Sequence, residues 1–349
     1  MADRTNPEPV GTGDSPQTGA MMPTGGSGTA TASGRSRRLL MRGVKLALCA
    51  ALLVWIIRSA DLSAVFAALA GADPALLALA VSMQLLGAAI VAMRWQRLLA
   101  VRDVRPGFRY LWGSTVSAFF FRQFLPSVVG GDAIRSYDAW RAGATPGFSA
   151  LSLVVDRLFG LLTLIGFVAI AALSIRQVVE DLPGFWLYVG IGLAVVGGGL
   201  GALLMPGRIP WPARMPAKLR RIADGLRAFD GARGVVLPCL GLSILLQINV
   251  VTFYFVLSQA LDLGVSYGAF FAIVPVAIFA MMAPLSINAI GIREAIFILL
   301  LGLWGVDRDH ALAFAWAEFG AILTAGLFGG IVYALRRGTA RPPRVADTA

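Results

Sequence analysis

The 349-residue chain reads as an all-α integral membrane protein: a polytopic helical bundle of about six full spans plus two re-entrant or short-helix hairpins in an inverted arrangement. Three observations predict this. Hydrophobic residues make up 57% of the chain and charged residues only 14%, with a mean hydropathy of +0.75, a balance outside that of soluble globular domains. Apolar runs of bilayer length recur along the sequence. Between them, basic and acidic loops alternate as the positive-inside rule requires.

The elements follow in order. Residues 1–38 are rich in Gly, Thr, Ser and Pro and read as a disordered cytoplasmic tail with a basic end (Arg35, Arg37, Arg38). Arg42 and Lys45 extend that cluster, and the first apolar run, Leu46–Ile57, has no small-residue cleavage pattern after it, so a removed signal peptide is not expected. Leu62–Ala70 is a short amphipathic piece suited to the interface. Pro74–Met93 is a span that begins on a proline, where the missing N–H is least costly. Tyr110–Leu125 is apolar but short. Phe148–Ile175 is long, and Phe185–Met205 is glycine-rich, which suits close helix approach. Ala217–Phe229, carrying Lys218, Arg220, Arg221 and Arg227, is predicted to lie on anionic headgroups as a cytoplasmic interfacial helix. Val235–Leu261 is long, Phe270–Ala283 and Ala295–Trp304 are short, and Ala311–Leu335 closes a membrane domain expected over 39–338. Residues 339–349 read as a second disordered tail.

Loop charge sets the topology. Loops 94–109 and 206–234 and the C-terminal tail are basic; loops 58–73, 176–184, 262–266 and 305–310 are acidic or neutral. If every apolar run crossed fully, the basic 206–234 loop would lie outside, against the rule. The conflict disappears if 110–147 enters and leaves from the cytoplasm and 267–304 enters and leaves from the opposite face. Both termini are then cytoplasmic, in a cell membrane. Each hairpin could instead be a pair of short full spans.

The two hairpins carry matching stretches. Pro126-Ser127-Val128-Val129-Gly130-Gly131-Asp132-Ala133-Ile134-Arg135 and Pro284-Leu285-Ser286-Ile287-Asn288-Ala289-Ile290-Gly291-Ile292-Arg293 share the same Pro-to-Arg spacing, with Ile before each Arg. Paired interrupted segments in two halves of a polytopic protein point to a transport site. Ionisable residues at bilayer depth cost about 2.5–3.5 kcal/mol on insertion scales, so they face the bundle interior or a wet cavity. These are Arg122, Asp132 and Arg135 in the first hairpin, Asp156 and Arg157 in the next span, Arg293 and Glu294 in the second hairpin, and Glu318 in the last span. Gly130-Gly131 suits a sharp turn, with Asp132 capping the half-helix that carries Arg135; Asn288 caps similarly, with Gly291 as the flexible point. Both half-helices would then aim a positive end and an Arg at one midplane cavity, and the natural cargo of that field is a phosphate.

Plainer readings stand beside these. Asp132 with Arg135 is an i, i+3 pair and could be a simple salt bridge; Asp156 and Arg157, as sequence neighbours, face different ways and could form a structural clamp. Glu318 could pair with Arg293 across helices or act as a proton relay. Gln84, Gln247 and Asn249 suit interhelical hydrogen bonds. The lone histidine, His310, reads as a solvated loop residue, and Cys49 and Cys239 lie in apolar runs without a disulfide or zinc pattern. The net charge of +11 is spread over tails and juxtamembrane loops, which argues against nucleic acid and for anionic lipid headgroups as partners. No metal or cofactor motif and no covalent-catalysis motif stands out.

Phe119-Phe120-Phe121-Arg122-Gln123-Phe124-Leu125-Pro126 running into Gly130-Gly131-Asp132-Ala133-Ile134-Arg135, together with Asp156-Arg157-Leu158, resembles the transmembrane region of lysylphosphatidylglycerol synthase, the flippase-like domain family. Pro284-Leu285-Ser286 and Gly291-Ile292-Arg293-Glu294 resemble its second signature, with Asn288 and Ala289 where glycine is common. The resemblance covers roughly residues 40–335. It implies the membrane part alone: about a dozen residues follow the last span, too few for the separate aminoacyltransferase domain of the full synthase. What it implies is moving or binding an anionic or aminoacylated phospholipid, or a polyprenyl-phosphate-linked precursor. On this reading Arg135 and Arg293 hold the headgroup phosphate while Asp132 and Glu294 orient them or read an amine; Arg122 joins the binding set, with Gly130, Gly131, Asp156, Arg157, Asn288, Gly291 and Glu318 in support. Two alternatives stay open: a membrane partner of a cell-envelope glycosyltransferase or lipid-modifying enzyme, and an intramembrane lipid-phosphate enzyme with Asp132 or Glu294 as base.

Overall fold

A computed structural model describes residues 62–124, 129–174, 185–204, 233–282 and 289–336, all within the unit 45–349. These residues form ten α-helices and, among them, no strand. The helices are α1 (Leu62–Ala70), α2 (Pro74–Ala100), α3 (Phe108–Phe124), α4 (Val129–Arg141), α5 (Pro146–Ser174), α6 (Phe185–Leu204), α7 (Arg233–Ala260), α8 (Tyr267–Met281), α9 (Ile292–Gly302) and α10 (Arg308–Arg336). The tails 1–38 and 339–349, the run Leu46–Ile57, the stretch Ala217–Phe229 and Asn288 lie outside the described residues.

Four helices, α2, α5, α7 and α10, are long and apolar enough to cross a membrane. A 27-residue helix such as α2 rises about 40 Å, more than the hydrocarbon core needs. The short elements also take the expected form: α3 and α4 pack on each other as the first hairpin, α8 and α9 as the second. Local chemistry sets several boundaries. Asp73 caps α2, its side chain accepting from the N–H of Ala75 (2.7 Å) and Leu76 (3.3 Å), with Pro74 at the first helical position. Ser266 caps α8. Gly291, at φ 82°, opens α9 in a conformation a side chain would resist.

The helices form two halves related by inversion. In chain order, α2, α3, α4 and α5 contain 27, 17, 13 and 29 residues; α7, α8, α9 and α10 contain 28, 15, 11 and 29. The equivalent helices α2 and α7 run antiparallel side by side. The Asp73 N–H donates to the Ala260 carbonyl at 2.9 Å, and Asn249 Nδ2 donates to the Met83 carbonyl at 3.1 Å. Gly87 marks their crossing: a Cβ there would lie 3.1 Å from Asn249 Nδ2 and 3.6 Å from Leu246 Cδ1. Antiparallel equivalents mean that the operation relating the halves turns one upside down, so the two hairpins open toward opposite faces. The packing is reciprocal as well. The first arm of each hairpin lies on the last long helix of the other half, α3 on α10 and α8 on α5.

Each half has its own apolar core. One gathers Trp95, Leu98, Leu99, Leu111, Phe159 and neighbours; the other gathers Tyr254, Phe270, Ile273, Phe297, Leu301 and Phe314. Helices α2 and α7 contribute to both, so they tie the halves together. α1 covers the start of α10 through Val65 against Leu312 and Ala313.

The α3–α10 contact is unusually close because glycines line it. A Cβ on Gly329 would overlap the Val116 carbonyl, and one on Gly330 would lie 2.7 Å from the Phe120 ring. Gly329→Ala is therefore expected to destabilise the protein. Gly320→Ala, on the same helix with nothing within 4 Å, is expected to be neutral or stabilising by up to about 1 kcal/mol. Thermal unfolding of the two variants in detergent checks the contrast.

His310 corrects its sequence reading: it sits in the first turn of α10, not in a loop, with its ring 2.6 Å from Asp307. Burial raises the Asp307 carboxyl, but the His310 and Asp309 N–H groups and the His310 ring together outweigh it and hold the carboxyl below the usual range. A lowered folded value means a contribution present above the unfolded carboxylate value and lost as pH falls through the folded one. Asp307→Ala should cost about 1 kcal/mol at neutral pH and less in acid, read from unfolding at the two pH values.

Candidate functional site

The ionisable residues at depth resolve into two clusters, each built around one buried carboxylate on the last helix of a half. In the first, Asp156 on α5 is 2% exposed. Arg94 on α2 donates from Nε to its Oδ1 at 2.7 Å, and Arg135 on α4 donates from Nη2 to its Oδ2 at 3.1 Å. Arg94 also donates to Ser243 Oγ on α7 at 2.7 Å, so four helices meet at this carboxylate. The Arg135 guanidinium lies over the Trp95 ring, 4.5 Å from its centroid, and Trp95 Nε1 donates to Ser152 Oγ at 3.0 Å. Arg135 is 5% exposed, and its Nε has no hydrogen-bond partner among the described residues.

On the neighbouring face of α5, Arg157 pairs with Asp132 of α4. This pair is wetter: the Arg157 side chain is about half-exposed. Arg122, exposed in the last turn of α3, is within electrostatic reach of Arg135, Asp132 and Arg157. Asp132 and Arg135, read as a candidate i, i+3 pair, instead turn to different partners, Arg157 and Asp156. Helix geometry explains this: α4 packs against α5, where the alternating faces of Asp156 and Arg157 receive one charge each.

Asp132 is also not a cap. Helix α4 already begins at Val129, so Asp132 lies within its first turn, where a carboxylate suits the dipole. Gly130 and Gly131 lie inside the helix rather than at a turn; a Cβ on Gly131 would come within 2.8 Å of the Ala118 carbonyl, so it lets α3 and α4 approach.

In the second cluster, Glu318 on α10 is 2% exposed. Arg293 on α9 pairs with it through Nε at 2.8 Å, and Tyr254 on α7 donates its hydroxyl to Oε1 at 3.0 Å. The Arg293 guanidinium lies 5.0 Å from the Phe319 ring centroid. Glu294 Oε2 accepts from the Gly291 N–H at 2.6 Å, so this carboxylate closes the start of α9. The cap of α9 is Gly291 itself.

The clusters are counterparts under the inversion. Asp156 and Glu318 are each the eleventh residue of their helix, and each is bound by a residue on the second hairpin arm and a residue late in the half's first helix. The separation from Arg94 to Asp156 is 62 residues and from Tyr254 to Glu318 is 64. The α2–α7 crossing at Gly87 divides them. Arg94 lies beyond it on α2, and Tyr254 lies beyond it in the opposite direction on α7, about 20 Å away along the helix pair at 1.5 Å per residue. The structure thus brings Asp132, Arg135, Asp156 and Arg157 together, and separately Gly291, Arg293, Glu294 and Glu318, which corrects the single midplane cavity expected for Arg135 and Arg293: each arginine is drawn to the carboxylate of its own half.

Sequence reasoning missed Arg94 and Tyr254. The sequence places Arg94 in the basic 94–109 loop, but α2 continues to Ala100 and buries it. The signal was present: Ala92, Trp95, Leu98 and Leu99 continue the helical spacing of apolar residues past Arg94. Tyr254 offers less, being an aromatic residue in an apolar run.

The clusters differ in sign. Around Asp156 stand two buried guanidiniums, a compensated Asp132–Arg157 pair and Arg122, leaving positive charge in excess. Around Arg293 stand two carboxylates, leaving negative charge in excess. Among the described residues no three His, Cys, Asp or Glu side chains gather as a metal site needs.

A family model described as Lysylphosphatidylglycerol synthase TM region matches residues 43–330. No curated protein matches the chain.

Asp156→Asn would leave two buried guanidiniums without a counter-charge. It should cost about 3–5 kcal/mol in unfolding measurements. Arg157→Ala, at a half-exposed pair, should cost about 0–1 kcal/mol. Equal losses would show that Asp156 is not the anchor described.

Proposed function

Since the chain belongs to the lysylphosphatidylglycerol synthase transmembrane-region family, a family of lipid-handling membrane proteins, we propose that it is a lipid translocase or lipid-binding protein of the cell membrane, taking the phosphate of an anionic or aminoacylated phospholipid or a polyprenyl-phosphate-linked precursor. Both termini are cytoplasmic on this reading, from the basic loops. Membrane lipids are its partners.

One observation carries the reading. The Asp156 cluster holds more guanidinium than carboxylate, with Arg135 buried and its Nε unpaired among the described residues. Positive charge at membrane depth is expensive unless an anion balances it. A lipid phosphate supplies that charge while its chains stay in the bilayer, and Arg122, exposed beside the cluster, supplies a second donor set. Trp95 fixes the plane of the Arg135 guanidinium, so that its donors are oriented before the phosphate arrives. Asp156 anchors rather than competes, since both its oxygens are already taken.

The inverted halves support movement rather than binding alone. Halves of this kind can exchange the exposure of a site by rocking against one another. Here α2 and α7 form the shared axis, and each hairpin rides on the other half's last helix.

In vesicles containing a fluorescent phosphatidylglycerol, the reconstituted protein should speed its movement between leaflets. Arg135→Ala should lower that rate about 10- to 100-fold, the effect of losing a charged hydrogen bond of about 1.5–3 kcal/mol. A wild-type rate no faster than that of empty vesicles would refute translocation; an unchanged Arg135→Ala rate would remove Arg135 from the site.

A further inference from the structure

The two carboxylates occupy equivalent places but differ in how they are balanced. Asp156 is held by two guanidiniums, at 2.7 and 3.1 Å. Protonating it would leave both buried with no counter-charge, so that cluster is locked. Glu318 is held by one guanidinium and one phenol, with Glu294 placing a second negative charge in reach. That cluster carries one negative charge too many, and one proton would neutralise it, leaving Arg293 balanced by Glu294.

Helices α1, α2, α3, α7 and α9 pack against α10. α9 presents Arg293 and Glu294, and α7 presents Tyr254. α1 carries no titratable side chain. α2 spends Arg94 on Asp156, while α3 turns Arg122 toward the first cluster and sets Tyr110 against Asp138 and Arg336. The charged groups that act on Glu318 here are Arg293 and Glu294.

Building on the translocation reading, we propose that Glu318 is a proton-binding site: a proton from the aqueous phase adds to its carboxylate, the Arg293 ion pair is released, and the second hairpin is freed to move against α10. The first half holds the phosphate and the second takes the proton, which makes lipid movement sensitive to a proton gradient. The inverted fold gives the chemical reason for the division, since equivalent positions carry an excess of opposite sign.

The test uses the full chain in vesicles with the same fluorescent phosphatidylglycerol, and two readouts. In infrared difference spectra on acidification, the wild type should show a protonated-carboxyl C=O band that disappears in Glu318→Gln and persists in Glu294→Gln. In transport, the wild-type rate should change with an imposed pH gradient by up to about tenfold per pH unit, the limit for one proton. The ratio of rates with and without the gradient should fall to about one in Glu318→Gln. Should Glu318→Gln fail to fold, Tyr254→Phe serves: it removes a hydrogen bond that favours the ionised form and should raise the midpoint of the infrared band by about one pH unit. A band retained in Glu318→Gln, an unmoved midpoint in Tyr254→Phe, or gradient dependence surviving Glu318→Gln each overturns the proposal. Movement by the wild type that ignores the gradient overturns the coupling and leaves translocation intact. If no protein moves lipid, translocation itself falls, and the infrared band alone decides whether Glu318 takes the proton.

Discussion

An ionised carboxylate at bilayer depth must be surrounded by enough donors to replace the water it has lost, and that requirement organises this protein. Asp156 meets it by drawing a guanidinium from α2 and another from α4, with Ser243 of α7 holding the far side of Arg94. One side chain thus fixes the positions of four helices. The attraction between such charges does not by itself repay their dehydration, so the geometry has to be near ideal, and a partial set would be worse than an apolar core. This explains why the hairpin arm α4, short and only weakly apolar, has a defined place: Arg135 is pinned to Asp156 and stacked on Trp95.

The same solution appears twice, inverted. Glu318 repeats the role of Asp156, Arg293 that of Arg135, and Tyr254 that of Arg94, while the surrounding cores share only α2 and α7. Repetition explains how a chain with few charged residues builds two polar centres inside an apolar bundle: one local design, carboxylate on a long helix and cation on a half-helix, serves both halves. The substitution of Tyr for Arg at the third position is what sets them apart. It removes one positive charge from the second centre, and Glu294 adds a negative one. Two structurally equivalent sites thereby acquire opposite electrostatic character, which an exact repeat could not provide.

Close packing supports this arrangement where charges do not reach. Gly326, Gly329 and Gly330 let α10 lie against the backbone of α3, and Gly131 lets α4 lie against α3. In lipid, where apolar contact between helices gains little over contact with acyl chains, such approach supplies the dispersion energy that holds a hairpin in place.

The sequence by itself determined the solvent, the class and the rhythm. Apolar content and loop charge are additive, local properties that the bilayer reads segment by segment, so the long helices, the two short hairpins and their opposite orientation were legible before any fold was known. The matched Pro-to-Arg stretches also contain two of the buried charges: Arg135 and Arg293 are both buried and both paired. What the sequence left open was pairing. Asp132 could cap its half-helix or pair with Arg135, Glu318 could pair with Arg293 or act as a proton relay, and Arg94 reads as a loop charge although α2 runs past it. Those outcomes depend on which helices touch and how each is rotated, quantities set by packing between segments 21 to 149 residues apart rather than by any local stretch. Only the tertiary structure decided that the buried charges form two centres across the α2–α7 crossing, because charge balance is a property of the assembled neighbourhood and not of the chain that supplies it.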